Sequence, residues 1–170
     1  LNTNDSTATM PAGTVFNTTV DDVSFQFSTI QSFTKSNTGN SIPFVGVDIY
    51  EGTFITTRYT VDSSDIDQRF LLTDNRADTS TLIVKVQTSS TDSTSTTFTE
   101  ATDITQVTSG SNVFFLQEVE AGLFEVYFGD GVIGTALSDD NIVILTYVVS
   151  NKSAANGASL FTNVATIASV

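Results

Sequence analysis

The stretch Asn141-Ile-Val-Ile-Leu-Thr-Tyr-Val-Val149 decides the fold, because almost every residue in it is β-branched, aliphatic or aromatic. Residues of these types favour a pleated strand over a helix. Two further runs precede it, Asn112-Val-Phe-Phe-Leu-Gln-Glu118 and Leu123-Phe-Glu-Val-Tyr-Phe128. Ala121-Gly122 and Gly129-Asp-Gly131 separate the three runs, so this part of the chain predicts strands joined by turns.

Pairs of strands around short turns are also predicted upstream. Each pair consists of two β-favouring runs separated by two residues of the types Asp, Glu and Gly, which suit tight turns. The pairs are 14–20 with 23–29 around Asp21-Asp22, and 44–50 with 54–61 around Glu51-Gly52. In the first pair, Val23, Phe25 and Phe27 alternate with polar residues, which predicts a hairpin with one buried face.

The whole chain therefore predicts an all-β fold with, at most, minor helix. No long segment has sustained 3.6-residue periodicity, and the tail at 154–170 fits either a short helix or a last strand. Strands about 8 to 12 residues apart, with Gly, Asn or Asp between them, indicate antiparallel sandwich or barrel-like subdomains built from hairpins.

The composition suggests three segments. Residues 1–10 are polar and are predicted to be a linker or lead-in, while residues 11–105 form one or more N-terminal β subdomains. Residues 106–170 form a C-terminal β subdomain that contains Phe128-Gly-Asp-Gly-Val-Ile-Gly134. Because the chain begins at Leu1 and continues directly into polar sequence, we expect it to be part of a longer protein.

Charge and composition exclude several classes of function. The chain has 19 acidic and 6 basic residues, a net charge of −13, so it repels a phosphate backbone and nucleic acid is not an expected partner. It has no Cys and no His, which removes disulfides, thiol nucleophiles and the usual general base. No apolar run approaches the roughly 20 residues of a membrane span, so we expect a soluble chain without a membrane partner.

The most conspicuous motif is the glycine turn at Gly129, Asp130, Gly131 and Gly134. Its Asp-Gly-x-Ile core is similar to the middle of a calcium-binding loop, but the positions that must supply further oxygen ligands hold Phe128, Val126 and Leu137. We therefore predict a structural turn, in which glycine supplies the positive φ that other residues adopt only at a cost.

Two groups of carboxylates are candidates for a metal site or a catalytic site. Asp62, Asp65 and Asp67 lie close enough to share a metal ion, although aspartates that cap backbone amides in a solvated turn are the favoured interpretation. Glu118, Glu120 and Glu125 can supply the carboxylate pair of a glycosidase. All three flank one turn, and the chain has no Trp to stack on a sugar, so we predict no enzyme and no catalytic, cofactor or metal residues.

An ordered set of sequence blocks resembles a known family. The blocks are Pro11-Ala-Gly-Thr-Val-Phe16, Val47-Asp-Ile-Tyr-Glu-Gly52, Val113-Phe-Phe-Leu-Gln-Glu118, Gly122-Leu-Phe-Glu-Val-Tyr-Phe-Gly-Asp-Gly-Val-Ile-Gly134 and Asn141-Ile-Val-Ile-Leu-Thr-Tyr147. Together they are similar to the inner-ring baseplate wedge proteins of T4-like contractile-tailed phages, within the baseplate J-like family. The chain then corresponds to an internal fragment of such a protein.

The resemblance implies a structural function in a virion. Wedge subunits of this family associate with copies of themselves and with other wedge proteins into a ring, which passes on the trigger for sheath contraction. The resemblance places the chain in the tail baseplate, assembled in the host cytoplasm, with no cofactor and no small-molecule substrate. A carbohydrate- or receptor-binding β domain of a phage tail or adhesin is the alternative, because a surface rich in Thr and Ser suits it as well.

Overall fold

The computed structural model describes residues 5–39, 41–164 and 167 of the 170-residue chain. In these residues no helix reaches seven residues, which confirms the predicted all-β class. The strands are β1 (Thr7–Met10), β2 (Val15–Val20), β3 (Val23–Ser28), β4 (Phe33–Ser36), β5 (Tyr50–Glu51), β6 (Thr53–Thr60), β7 (Phe70–Leu72), β8 (Ala77–Gln87), β9 (Thr96–Glu100), β10 (Val113–Glu118), β11 (Phe124–Phe128), β12 (Ile142–Val149) and β13 (Thr162–Asn163). Short 3₁₀ helices cover Ile104–Gln106, Glu120–Gly122 and Lys152–Ala155.

The chain divides into two compact units. Unit 1 comprises Leu1–Phe54 and Val148–Val170, and unit 2 comprises Ile55–Tyr147. The boundary predicted between residues 105 and 106 falls inside unit 2. Whether 11–105 and 106–170 behave as subdomains stays a prediction.

A seven-stranded sheet dominates unit 2 and is nearly closed into a barrel. Its strand order is β6-β12-β8-β9-β10-β11-β7, and β9 pairs with β10 in parallel. Closing a sheet in this way leaves fewer unpaired edges. The hydroxyl of Tyr59 on edge strand β6 donates to the carbonyl of Leu71 on edge strand β7 at 2.7 Å, which links the two ends of the sheet.

The core of unit 2 is mainly apolar. In β12, seven of the eight residues are buried, so both faces of this strand are covered. Leu145 and Tyr147 are fully buried, as are Val84 on β8 and Leu72 on β7. The hydroxyl of Tyr147 accepts a hydrogen bond from the amide of Thr73 at 3.0 Å, so the one polar atom of this ring has a partner.

Unit 1 contains a four-stranded sheet of order β13-β2-β3-β5 and the two-stranded sheet β1-β4. Strands β2 and β3 form the predicted hairpin, with Val20 opposite Val23. The buried face predicted for β3 is wrong, because Val23 is 54% exposed and the two phenylalanines of that face are only half-buried. Asp21 and Asp22 have φ of 48° and 64°, as a two-residue turn that matches the strand twist requires. Aspartate tolerates this left-handed conformation better than most residues.

Hydroxyl side chains occupy much of the interior of unit 1. Thr29 is fully buried, and its Oγ1 accepts from the amide of Thr14 at 3.1 Å and donates to the carbonyl of Pro11 at 2.9 Å. Ser28 is also fully buried and donates to the carbonyl of Gly52 at 3.2 Å. Each buried hydroxyl therefore satisfies backbone groups that water cannot reach.

The hairpin predicted around Glu51-Gly52 is wrong. Strand β5 pairs with β3, whereas β6 lies beside β12, and residues 44–49 form no strand. Gly52 has a φ of +127°, and a Cβ there would collide with the carbonyl oxygen of Val149. At Gly52 the chain therefore leaves one sheet and enters another. The prediction failed because the sequence around Gly52 is also typical of a hairpin turn.

Part of the predicted lead-in is a strand. Thr7–Met10 pairs with Phe33–Ser36, and Ala8 and Met10 are each only 3% exposed. Two small or flexible apolar residues among polar ones are a weak sequence signal for a strand. The partner of this strand lies more than 20 residues away in the sequence, so no local pattern reveals the pairing. Residues 1–4 of the lead-in lie outside the described residues.

Candidate functional site

Asp130 organises the glycine turn after β11. Its Oδ1 accepts hydrogen bonds from the amides of Val132 and Ile133, both at 2.9 Å. These bonds, the one from Ile133 first, hold the pKa of the Asp130 carboxyl below its usual range. The turn is thus held by a local carboxylate and exposes two apolar side chains, with Val132 at 74% and Ile133 at 41% exposure.

The glycines of this turn are required for two different reasons. Gly131 and Gly134 have φ of +87° and +82°, where a side chain is strained. A Cβ on Gly129 would instead collide with the backbone of Ile133 and Gly134. The amide of Gly134 donates to the carbonyl of Thr108 at 3.1 Å, so the turn is tied to the loop before β10.

Arg69 joins two of the three glutamates that the sequence singled out. Its guanidinium contacts Glu120 Oε1 and Glu125 Oε2, each at 2.6 Å. Glu125 is 5% exposed, whereas Glu120 is at the surface. The hydrogen bond to Arg69 lowers the pKa of Glu120, and the two carboxylates, that of Glu120 first, raise the pKa of Arg69.

This arrangement does not suit a glycosidase. A general acid in that reaction needs a raised pKa, so that the carboxyl holds a proton near neutral pH. Arg69 has the opposite effect on Glu120, and it also occupies the buried carboxylate of Glu125. The third glutamate, Glu118, is exposed at the end of β10.

The aspartates of the 62–67 turn cap backbone amides. Asp62 Oδ1 accepts from the amide of Ser64 at 2.9 Å, and Asp65 Oδ1 accepts from the amide of Asp67 at 3.1 Å. The hydrogen bonds from Ser64 lower the pKa of Asp62. Across the described ranges, no group of three or more Asp, Glu, His or Cys side chains is placed to hold a metal ion.

A groove of about 270 Å³ lies beside this turn in unit 2 and is called the acidic groove below. Its apolar lining includes Val61, Phe70, Phe128 and Leu137, and Asp62 and Asp65 also line it. The rings of Phe70 and Phe128 meet edge to face at 5.5 Å. The groove therefore combines an apolar, aromatic lining with carboxylates.

Unit 1 has a larger and more apolar groove of about 660 Å³. Phe16, Phe44, Val45, Ile49 and Phe161 contribute to its lining. Val45 is 74% exposed and Phe161 is 40% exposed. Exposed apolar surface of this kind is typical of contact sites, although no charge on its lining indicates what covers it.

Sequence reasoning missed both the Arg69 bridge and the acidic groove. Arg69 is separated from Glu120 by 51 positions and from Glu125 by 56, so no local pattern connects them. The sequence did contain one sign that this turn is unusual: Ile66 is an apolar residue between two aspartates. In the structure Ile66 is 96% exposed. In the described part of the chain, no helix has the length and apolar character to cross a membrane.

Comparison with protein families gives a match over most of the chain. The family model described as bacteriophage baseplate wedge protein gp6, third domain, matches residues 55–160. This range includes unit 2, with the glycine turn, the Arg69 bridge and the acidic groove. No curated protein matches the sequence.

Proposed function

We propose the function of this chain from its family: it belongs to the bacteriophage baseplate wedge protein gp6 third-domain family. The matched range covers more than half of the chain and agrees with the resemblance of the sequence blocks. The chain is accordingly a structural protein of the virion, in the baseplate of the phage tail. It assembles there with other baseplate proteins.

We further propose that the chain acts by subunit association within a wedge ring. Its partners would be copies of itself and other wedge proteins, and a change in those contacts would pass on the trigger for contraction. Exposed apolar residues on turns that hydrogen bonds keep ordered support this proposal. Such side chains lose little conformational entropy when a partner binds them. Val132 and Ile133 are residues of this kind. Assembly would take place in the host cytoplasm.

We infer that this function requires no catalysis, cofactor, nucleic acid or small-molecule substrate. Membership in a structural family supports the inference. The engagement of Glu120 and Glu125 by Arg69 supports it further, because these carboxylates were the strongest catalytic candidates in the sequence. The glycine turn at 129–134 would have a structural function only.

Immunogold electron microscopy of tails from the phage that encodes the chain tests this function. Antibodies raised against the chain should label the baseplate end of the tail, while pre-immune antibodies should label nothing. Label on fibres or capsid alone would contradict the proposal. A glycan array distinguishes the baseplate function from the alternative, a carbohydrate- or receptor-binding domain. Saturable binding of one sugar at micromolar strength would indicate the alternative.

A further inference from the structure

Asp62 and Asp65, which line the acidic groove of unit 2, form no ion pair with another side chain in the part of the chain that the structure describes. The nearest cation in sequence, Arg69, already bridges Glu120 and Glu125. Asp139 lies beside the groove and accepts from the amide of Ser63 at 2.5 Å, a bond that lowers the pKa of Asp139. Hydrogen bonding likewise lowers the pKa of Asp62. These carboxylates are therefore ionised at neutral pH.

The lining of the groove restricts the chemistry of an occupant. A small cation or a polar chain does not use the apolar surface of Phe70, Phe128 and Leu137. Arginine and lysine fit both features, since their aliphatic stems lie along apolar surface while the charged head reaches a carboxylate. An aromatic ring such as that of Phe70 adds attraction for the cation when the groove is closed to water.

Charge also indicates which protein supplies the occupant. A second copy of this chain brings 19 acidic residues against 6 basic ones, and two of those six, Arg69 and Arg76, are paired with its own carboxylates. Like charges at a contact are costly, whereas opposite charges accelerate and orient association. A different protein with a basic surface is the complementary partner. Ile66, 96% exposed between Asp65 and Asp67, offers an apolar contact on the same turn as Asp65, which lines the groove.

We propose that the acidic groove is the docking site for a basic segment, containing Arg or Lys next to an apolar residue, of a baseplate protein other than a second copy of this chain. The inference rests on the proposed function only in naming a baseplate protein as the source. The chemistry of the segment follows from the groove alone.

A synthetic nonapeptide of alternating Arg, Leu and Lys, followed by amide NMR during titration, tests the docking site. We expect shifts to be confined to the lining of the groove and to the 62–67 turn. The double variant Asp62→Asn, Asp65→Asn should weaken binding by about tenfold, because it removes the carboxylates but keeps their oxygen acceptors. A peptide with Gln in place of Arg and Lys should not bind.

The matched control is the double variant Asp21→Asn, Asp22→Asn at the β2-β3 turn. It removes the same charge at an exposed pair in unit 1, and asparagine tolerates the positive φ found there. We expect binding to change by less than about twofold, because neither carboxylate lines the acidic groove and charges without a direct contact are screened by salt. Equal weakening by both double variants would mean that only net charge attracts the peptide, and the proposal would be overturned.

Two further outcomes keep the docking site and the baseplate function distinguishable. If the groove double variant misfolds, the single Asp65→Asn variant must weaken binding by about threefold, since one charge contact is removed. Absence of peptide binding, or shifts that lie elsewhere, would overturn the docking site even if immunogold labels the baseplate. Binding in the groove without label at the baseplate would overturn the stated source of the segment.

Discussion

The two units are built around different interiors. In unit 2 the fully buried side chains include Leu72, Val84 and Leu145, within a sheet that almost closes on itself. In unit 1 the fully buried residues include Ser28 and Thr29, which hold backbone groups of neighbouring segments. Unit 2 is thus stabilised mainly by removing apolar surface from water, while unit 1 depends more on satisfying buried polar groups.

The difference explains how a chain rich in Thr and Ser still folds into two compact units. Short strands in small sheets leave many backbone groups near a sheet edge, and hydroxyl side chains are short enough to reach them. A nearly closed sheet has few such groups and needs apolar volume to fill it. Substitutions in the two interiors test this contrast.

Leu145→Ala should produce the largest loss, in unit 2. The side chain is fully buried on β12, and the substitution should lower the free energy of unfolding by about 3 kcal/mol through lost burial and a residual cavity. Urea denaturation measures the change. The same substitution at Leu160, which is 84% exposed, is the control and should cost less than about 0.5 kcal/mol. Similar losses at the two positions would contradict the apolar core described for β12.

Thr29→Val should be the most damaging of the hydroxyl substitutions in unit 1. It preserves side-chain shape but leaves the amide of Thr14 and the carbonyl of Pro11 each without one partner, at a cost of about 2 kcal/mol. Differential scanning calorimetry measures the loss. Thr53→Val, at an exposed position of β6, is the matched control. A stabilised Thr29→Val variant would mean that the interior of unit 1 is not held by its hydroxyls.

Tyr147→Phe should have a smaller effect, because it removes one hydroxyl from a mainly apolar interior that keeps the buried hydroxyl of Thr81. The amide of Thr73 loses its acceptor, but Thr73 is exposed and can bond to water instead, so we expect about 1 kcal/mol. Hydrogen exchange should show selective loss of protection at the Thr73 amide. Unchanged protection there would contradict the contact between β12 and the end of β7. Tyr127→Phe, where the ring is 39% exposed, is the comparison.

Asp130→Asn should have the smallest effect and should depend on pH. The folded state lowers the pKa of Asp130, so its contribution to stability is present above the unfolded value of about 4 and is lost as pH falls through the folded value. The wild type should therefore melt about 1 to 2 °C higher than the variant at pH 7, and this advantage should be smaller at about pH 3. Circular dichroism at both pH values checks it. An advantage that is undiminished in acid would exclude the carboxylate as its source.

Asp130→Ala tests whether the hydrogen bonds to Asp130, and not its charge alone, stabilise the glycine turn. Asparagine keeps an oxygen that can accept from the amides of Val132 and Ile133, whereas alanine keeps none. The alanine variant should therefore melt below the asparagine variant at both pH values. Equal melting of the two variants would show that the glycines hold the turn without Asp130.

Local sequence was sufficient for part of the fold and failed at identifiable places. Alternation at Val23, Phe25 and Phe27 predicted the β2-β3 hairpin, because a hairpin is a contact between neighbours, but it did not predict which residues of β3 are buried. The same reasoning failed at Gly52, where the next strand pairs with a segment far along the chain. Strand β9 escaped notice, because Phe98 is its one buried residue among exposed neighbours.

The all-β class, the family and the absence of Cys and His follow from the amino-acid sequence alone, because residue type and alternation are properties of the chain at short range. The folded structure was needed to show that β9 runs parallel to β10, that Arg69 bridges Glu120 and Glu125, and which hydroxyls are buried. These features join residues that are distant in sequence, and their pairing is selected by the shared burial of surfaces that exist only once the sheets have formed.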